Sequence, residues 1–348
     1  MALRSYRETI LEPQLPIIDP HHHLWDRRAI TSTEPPQHAF AQILHKIPIY
    51  LADELTADLR SGHNVLTTVY MECGSMYRVD GPEALKPVGE TEFVAAVAAK
   101  SIAHPGGKAR ACAGIVSHAN LLLGDAAAGV LEAHLAVGDG RFRGIRHSAA
   151  YDVDPNVLGV LARQGPGLYL DATFREGFAR LAAMNLSFDA WMLEPQLPDL
   201  IDLARAFPDT TIVLDHVGTP LGIGAYAGRR EERFGAWRDH IRQLAALPRV
   251  NVKLGGLAMP FAGFSSFFSD PPATSMQLAA EWKPYIETCI DAFGPKRCMF
   301  ESNFPVDIGS CDYDVLWNAF KVLASGYSAD EKTALFSDTA RRVYRLDA

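Results

Sequence analysis

Short β-rich runs recur eight times along the chain, each followed by a stretch long enough for a helix or a long loop. This alternation limits the fold more than any other feature. The runs occupy 15–23, 65–72, 110–118, 142–147, 187–193, 211–217, 250–257 and 298–304. Several are nearly continuous in apolar residues, the pattern of parallel strands covered on both faces. Helical patterning fills 51–62, 89–104, 126–140, 197–209 and 229–247. Two closing helices follow at 313–326 and 328–346, the second with Ser328 as its N-cap. Gly62 and the Pro-Gly-Gly run from Pro105 read as stops between helix and strand. Eight such units predict an α/β fold, a (β/α)8 TIM barrel with long βα loops. A barrel of this kind needs about 250 residues. The surplus goes to loops at 26–50, 73–90, 148–156, 218–230 and 258–280, each just after a strand. No boundary is visible, so residues 1–348 are read as one domain. A doubly wound open sheet is the competing architecture. Eight strands are many for that fold, and no Gly-rich phosphate loop follows any of them.

The net charge of −8 argues against a nucleic-acid or anionic-membrane partner. No run of about 18 apolar residues exists to span a bilayer, and the opening MALRSYRETILEPQLP lacks the apolar core of a secretory leader. Cys73, Cys112, Cys289, Cys298 and Cys311 are scattered and odd in number, without a CxxC pair. They read as reduced thiols of a cytoplasmic protein.

The polar residues are not scattered. Half of the twelve histidines (His21, His22, His23, His118, His147 and His216) lie at the C-terminal ends of predicted strands. In a barrel those ends converge on one mouth. Alternation along DPHHHLW puts Asp19, His21 and His23 on one face and His22 on the other, toward the helices. Two imidazoles so placed can share a metal. His216, His147 and Glu72 at other strand mouths complete the candidate ligand set. Imidazoles with a carboxylate suit zinc, manganese or iron rather than calcium or magnesium. Each has a bland alternative: a bonded wall histidine, a surface arginine pair, an acid at a strand end. Arg143 and Arg146 could grip a substrate carboxylate. Lys253 on strand seven could form a Schiff base, but beside the histidines it reads as positive charge for Glu301 or the substrate. Trp25, Tyr77, Trp191 and Phe261 are expected in the pocket wall.

IIDPHHHLWD, FRGIRH, LDHVGTP and MFESNFP, in that order, resemble the amidohydrolase superfamily, and more closely its lactonase branch. The resemblance runs from strand one to strand eight. It implies a distorted barrel, with His21 and His23 on strand one and His216 on strand six, in some members around a divalent metal. It also implies attack of water on a lactone or ester carbonyl, with a strand-eight aspartate taking the proton. Here that position is Asn303, which can bond or ligate but cannot accept a proton at neutral pH. Either Asp307, beyond Pro305, replaces it as the base or the chemistry has changed; Glu301 lies two residues deeper.

Three readings follow. The first is a metal-dependent hydrolase opening a lactone or ester of a small carboxylated substrate. The second is other metal chemistry on the same barrel, decarboxylation or iron or manganese oxygen chemistry. The third is a non-catalytic subunit in a homo- or hetero-oligomer, with Asn303 a relic.

Overall fold

The computed structural model describes residues 8–29, 34, 36–103 and 109–347. Its centre is one eight-stranded sheet of parallel strands in sequential order. The strands are β1 Pro16–His22, β2 Asn64–Met71, β3 Arg110–Ser117, β4 Phe142–Arg146, β5 Ser187–Ala190, β6 Ile212–Leu214, β7 Val250–Leu254 and β8 Cys298–Phe300. β1 and β8 close the ring through a bridge between His22 and Phe304 rather than a full ladder. His23 N–H donates to Phe304 O at 2.8 Å, and Asn303 N–H to His21 O at 2.9 Å. The result is a (β/α)8 barrel with a narrow seam.

The expected helices form, and others appear where none was expected, among them Ala39–Lys46, Ala172–Ala183 and Ser275–Phe293. Ala172–Ala183 starts where the Asp171 carboxylate accepts the Phe174 N–H. Ser275–Phe293 begins on a capping box between Thr274 and Gln277. Ser328 caps the C-terminal run as expected. The expected stop at Pro105 lies outside the described residues. β5 through β8 end earlier than their apolar runs suggest. After β6 the chain turns through left-handed backbone at His216, Val217 and Thr219, and after β8 it does so at Asn303, which ends the ladder and re-aims the side chains.

The barrel's interior is layered. Near its N-terminal end Ile18, Val69, Val116, Val213 and Met299 pack against Ala340, Val343, Tyr344 and Leu346 of the C-terminal run, which plugs that end. Above this apolar layer the interior is charged, and the long loops cover the opposite mouth. The first loop contributes the helix Ala39–Lys46. Among the described residues no helix is long and apolar enough to cross a membrane, and all five cysteines are free.

Tight strand packing and open helix surface give opposite expectations for two glycines. A Cβ on Gly144 of β4 would lie 2.3 Å from the Ser187 carbonyl oxygen on β5. One on Gly129, exposed in the helix Ala127–Val137, would touch nothing. Gly144→Ala should destabilise by about 1–3 kcal/mol and Gly129→Ala should stabilise by up to about 1 kcal/mol, both read from chemical denaturation. Equal effects would mean that β4 and β5 are not so closely apposed.

Candidate functional site

β1 delivers two imidazoles to the mouth, though not by simple alternation. A register shift between Asp19 and His22 interrupts the ladder. Asp19 therefore accepts from the Tyr313 hydroxyl (3.1 Å) in the helix layer and from Ser302 N–H (3.0 Å), instead of joining His21 and His23. Burial pushes its carboxyl up to about 6. His22 faces outward as expected, against Thr68 Oγ1 at 2.8 Å.

His21 and His23 stand edge to face with ring centroids 4.9 Å apart, and His216 is 4.7 Å from His21. Ligand atoms of His21, Asp215 and His216 lie within 4.8 Å of one another, all buried. Asp215, from the turn after β6, was not among the expected ligands. His23 Nδ1 faces the Met71 carbonyl at 2.9 Å and Nε2 faces Asn303 Oδ1 at 3.2 Å. Burial pulls the imidazole well below its ordinary range, so the ring is neutral with one N–H. Both faced oxygens are acceptors, so only one of the two contacts can hold the proton.

Beneath this cluster lie two buried cations and four acids. Lys253 Nζ is 2.8 Å from Asp189 Oδ1 and 3.1 Å from Asp215 Oδ1. Burial opposes its charge, yet these two carboxylates hold it above its ordinary value. Arg146 Nε bonds Glu72 Oε1 at 2.7 Å, and its Nη1 is 3.4 Å from both Asp215 Oδ2 and His21 Nε2. Glu301 places one oxygen 2.7 Å from His21 Nδ1 and the other 2.7 Å from His216 Nδ1. Burial pushes Asp189 up to about 6, still ionised at neutral pH. For Asp215, burial is outweighed by Lys253, His216 and Arg146, which hold it below the usual carboxylate range. Arg146 and Glu72 cancel. Lys253 then faces three carboxylates, a surplus of acid over base in the buried site. A divalent cation balances that surplus, and the histidine–carboxylate donors suit one such as zinc.

The cluster floors a cavity of about 470 Å³. His23, His216 and Asn303 reach it from below, and Trp25, Tyr77 and Trp191 stand in its wall. Phe261 does not; it packs behind Phe40 with centroids 6.0 Å apart.

Several expected residues fall elsewhere. Arg143 sits near the other end of β4, donating to Gly140 O and Phe142 O. Three residues from Arg146 on a short strand, it occupies the opposite face and depth. Lys253 is fully buried and serves Asp189 and Asp215 before Glu301. His147 is in the cavity wall, but its Nδ1 lone pair accepts the Leu121 N–H at 3.3 Å. Its Nε2 lies 3.4 Å from the Gln164 amide nitrogen. Glu72 is occupied by Arg146. Asp307 is sealed: its Oδ1 accepts from Asn303 Nδ2 at 2.7 Å, it has no exposure, and it does not line the cavity. Burial drives its carboxyl well above the usual range. It holds Asn303 in place and cannot meet a water at the mouth. Asp189 escaped notice in the sequence; the signal was an acid inside the apolar run SFDAWML.

The family model described as Amidohydrolase matches residues 18–346. The uncharacterized protein y4mH of Sinorhizobium fredii is 32% identical over 336 residues, 95% of this chain and 98% of the relative. An L-fucono-1,5-lactonase of Burkholderia multivorans is 32% identical over 219 residues, 59% of this chain and 64% of the relative. A crystal structure of an amidohydrolase from Burkholderia multivorans with bound zinc superimposes with a TM-score of 0.72 at 26% identity, covering 95% of this chain and 99% of that one.

A sealed Asp307 that favours its neutral form should tolerate a neutral replacement. Asp307→Asn is expected to leave unfolding free energy at pH 7 unchanged or raised. A loss of about 3–5 kcal/mol, the cost of stripping one partner from a buried ion pair, would show that Asp307 is charged in the fold.

Proposed function

The chain belongs to the amidohydrolase family, and from that premise we propose that it is a metal-dependent hydrolase opening a lactone or ester of a small carboxylated substrate. The observation that carries this reading is the His21–Asp215–His216 cluster under a cavity that Arg146 and Arg163 also line. The lactonase relatives in Burkholderia and the zinc-bound amidohydrolase structure support the same chemistry.

His21, His216 and Asp215 would hold the ion, with His23 beside them. Bound there, a divalent cation would supply Lewis acidity to a carbonyl oxygen and lower the pKa of a water, so that a missing strand-eight base costs less. The other tasks belong to side chains. Arg146 is fixed by Glu72 and turns Nη1 toward the cluster, where it steadies negative charge that develops on oxygen. Arg163 lines the mouth without a carboxylate partner among the described residues and is free to take the substrate's carboxylate. Asn303, braced by Asp307, offers its amide as a hydrogen-bonding group and takes no proton. Trp25, Tyr77 and Trp191 give the upper cavity aromatic walls that exclude water and suit a ring-bearing substrate.

Metal-replete protein should turn over at least one member of a panel of sugar-acid and dicarboxylate lactones. A chelator should abolish the rate, and His216→Ala should cut kcat/KM by about 10²-fold or more. Arg163→Ala should raise KM, whereas Arg143→Ala should leave it unchanged. Inertness of the fully loaded protein toward the whole panel would overturn the reading.

A further inference from the structure

Strand eight has lost its acid at Asn303 but carries another, Glu301, for which the proposed reaction has no role. Glu301 is fully buried and cannot reach the cavity. Its two oxygens are nevertheless divided between two imidazoles. Oε1 lies 2.7 Å from His216 Nδ1 and also accepts the His216 backbone N–H at 3.2 Å. Oε2 lies 2.7 Å from His21 Nδ1.

The neighbouring backbone is cut back to admit this arrangement. β7 is followed by Gly255 and Gly256. A Cβ on Gly255 would fall 2.4 Å from Glu301 Cγ, and one on Gly256 would fall 2.4 Å from the His216 ring. Gly256 also adopts φ 66°, a conformation that side chains rarely take. The His216 turn is strained as well, with three non-glycine residues in left-handed backbone within 216–219. Its Val217 carbonyl is tied down by the Trp237 indole N–H at 2.8 Å.

The two rings are not held alike. Lys253 Nζ approaches His21 Nδ1 at 3.1 Å and Arg146 Nη1 approaches its Nε2 at 3.4 Å, so donors face both nitrogens of that ring, and Glu301 Oε2, although close, makes no hydrogen bond to it. His216 Nδ1 faces a carboxylate oxygen at hydrogen-bond distance, which requires the proton on that nitrogen.

We propose that Glu301 is a positioning residue: a carboxylate that holds His216 by both its Nδ1–H and its backbone N–H, so that the ring presents Nε2 to the metal. The inference rests on the metal-dependent reading above. It also explains why an acid can sit out of reach of the substrate and still belong to the site. A carboxylate bonded behind a ligating histidine orients the ring and raises its basicity, an effect of about 10–100-fold in metal affinity.

The test is ¹⁵N NMR of metal-free protein with labelled histidine, which separates Nδ1–H from Nε2–H rings, together with zinc affinity by chelator competition. Wild-type His216 should show Nδ1–H. Glu301→Gln can face the ring with an amide N–H, so His216 should switch toward Nε2–H and zinc should bind about 10–100-fold more weakly. Glu301→Asp, too short to reach Nδ1, should release the ring and serves if the Gln variant does not fold. An Nε2–H ring at His216 in the wild type, or unchanged zinc affinity in a variant whose tautomer has switched, would overturn the proposal. An Nδ1–H ring in a wild type that binds no metal would uphold the positioning and remove the metal from the function.

Discussion

The structure depends on the burial of one ammonium group. Lys253 has no exposure in the middle of the barrel, where a charged group costs several kcal/mol to desolvate. Asp189 and Asp215 offset that cost. Asp189 is held in turn by the Tyr344 hydroxyl, which rises from the C-terminal plug. Asp215 reaches Arg146, and Arg146 reaches Glu72 at the cavity wall. A continuous line of charge thus runs from the plugged end of the barrel to its open mouth. Each member is tolerable only because its neighbours are in place, so the ligand cluster is held by the same interactions that make the interior admissible.

The candidate ligands and the structural charges are therefore the same groups. Asp215 faces Lys253, Arg146 and the two histidines at once. His21 and His23 stay neutral because burial and the nearby cations oppose a further positive charge. Neutral rings beside surplus carboxylate make a cation trap, whereas protonated rings would neutralise the site without one.

Much of the fold was legible because parallel strands leave long apolar runs and histidines at their ends have little other reason to be there. What could not be read depends on contacts between distant segments. Nothing local marks the register shift that turns Asp19 toward Tyr313, or the turn that folds Asp307 behind Asn303. The difference between Arg143 and Arg146 was within reach, since three residues on a strand exchange both face and depth. Strand ends were overestimated where left-handed residues follow them, because Asn303 and His216 do not advertise positive φ as glycine does. Ser275–Phe293 was obscured by Pro284 and a long preceding loop.

The narrow seam between β1 and β8 bears on when this molecule becomes active. His21 and His23 are made near the start of synthesis, whereas Glu301 and Asn303 follow some 280 residues later. Their strands meet only through a bridge and a few bonds at the mouth. Such a contact carries a large loop-closure cost, so the ring should close late. Activity then becomes a proofreading signal: a nascent or nicked chain that has not seated its last strand has no assembled centre and cannot act on substrate prematurely.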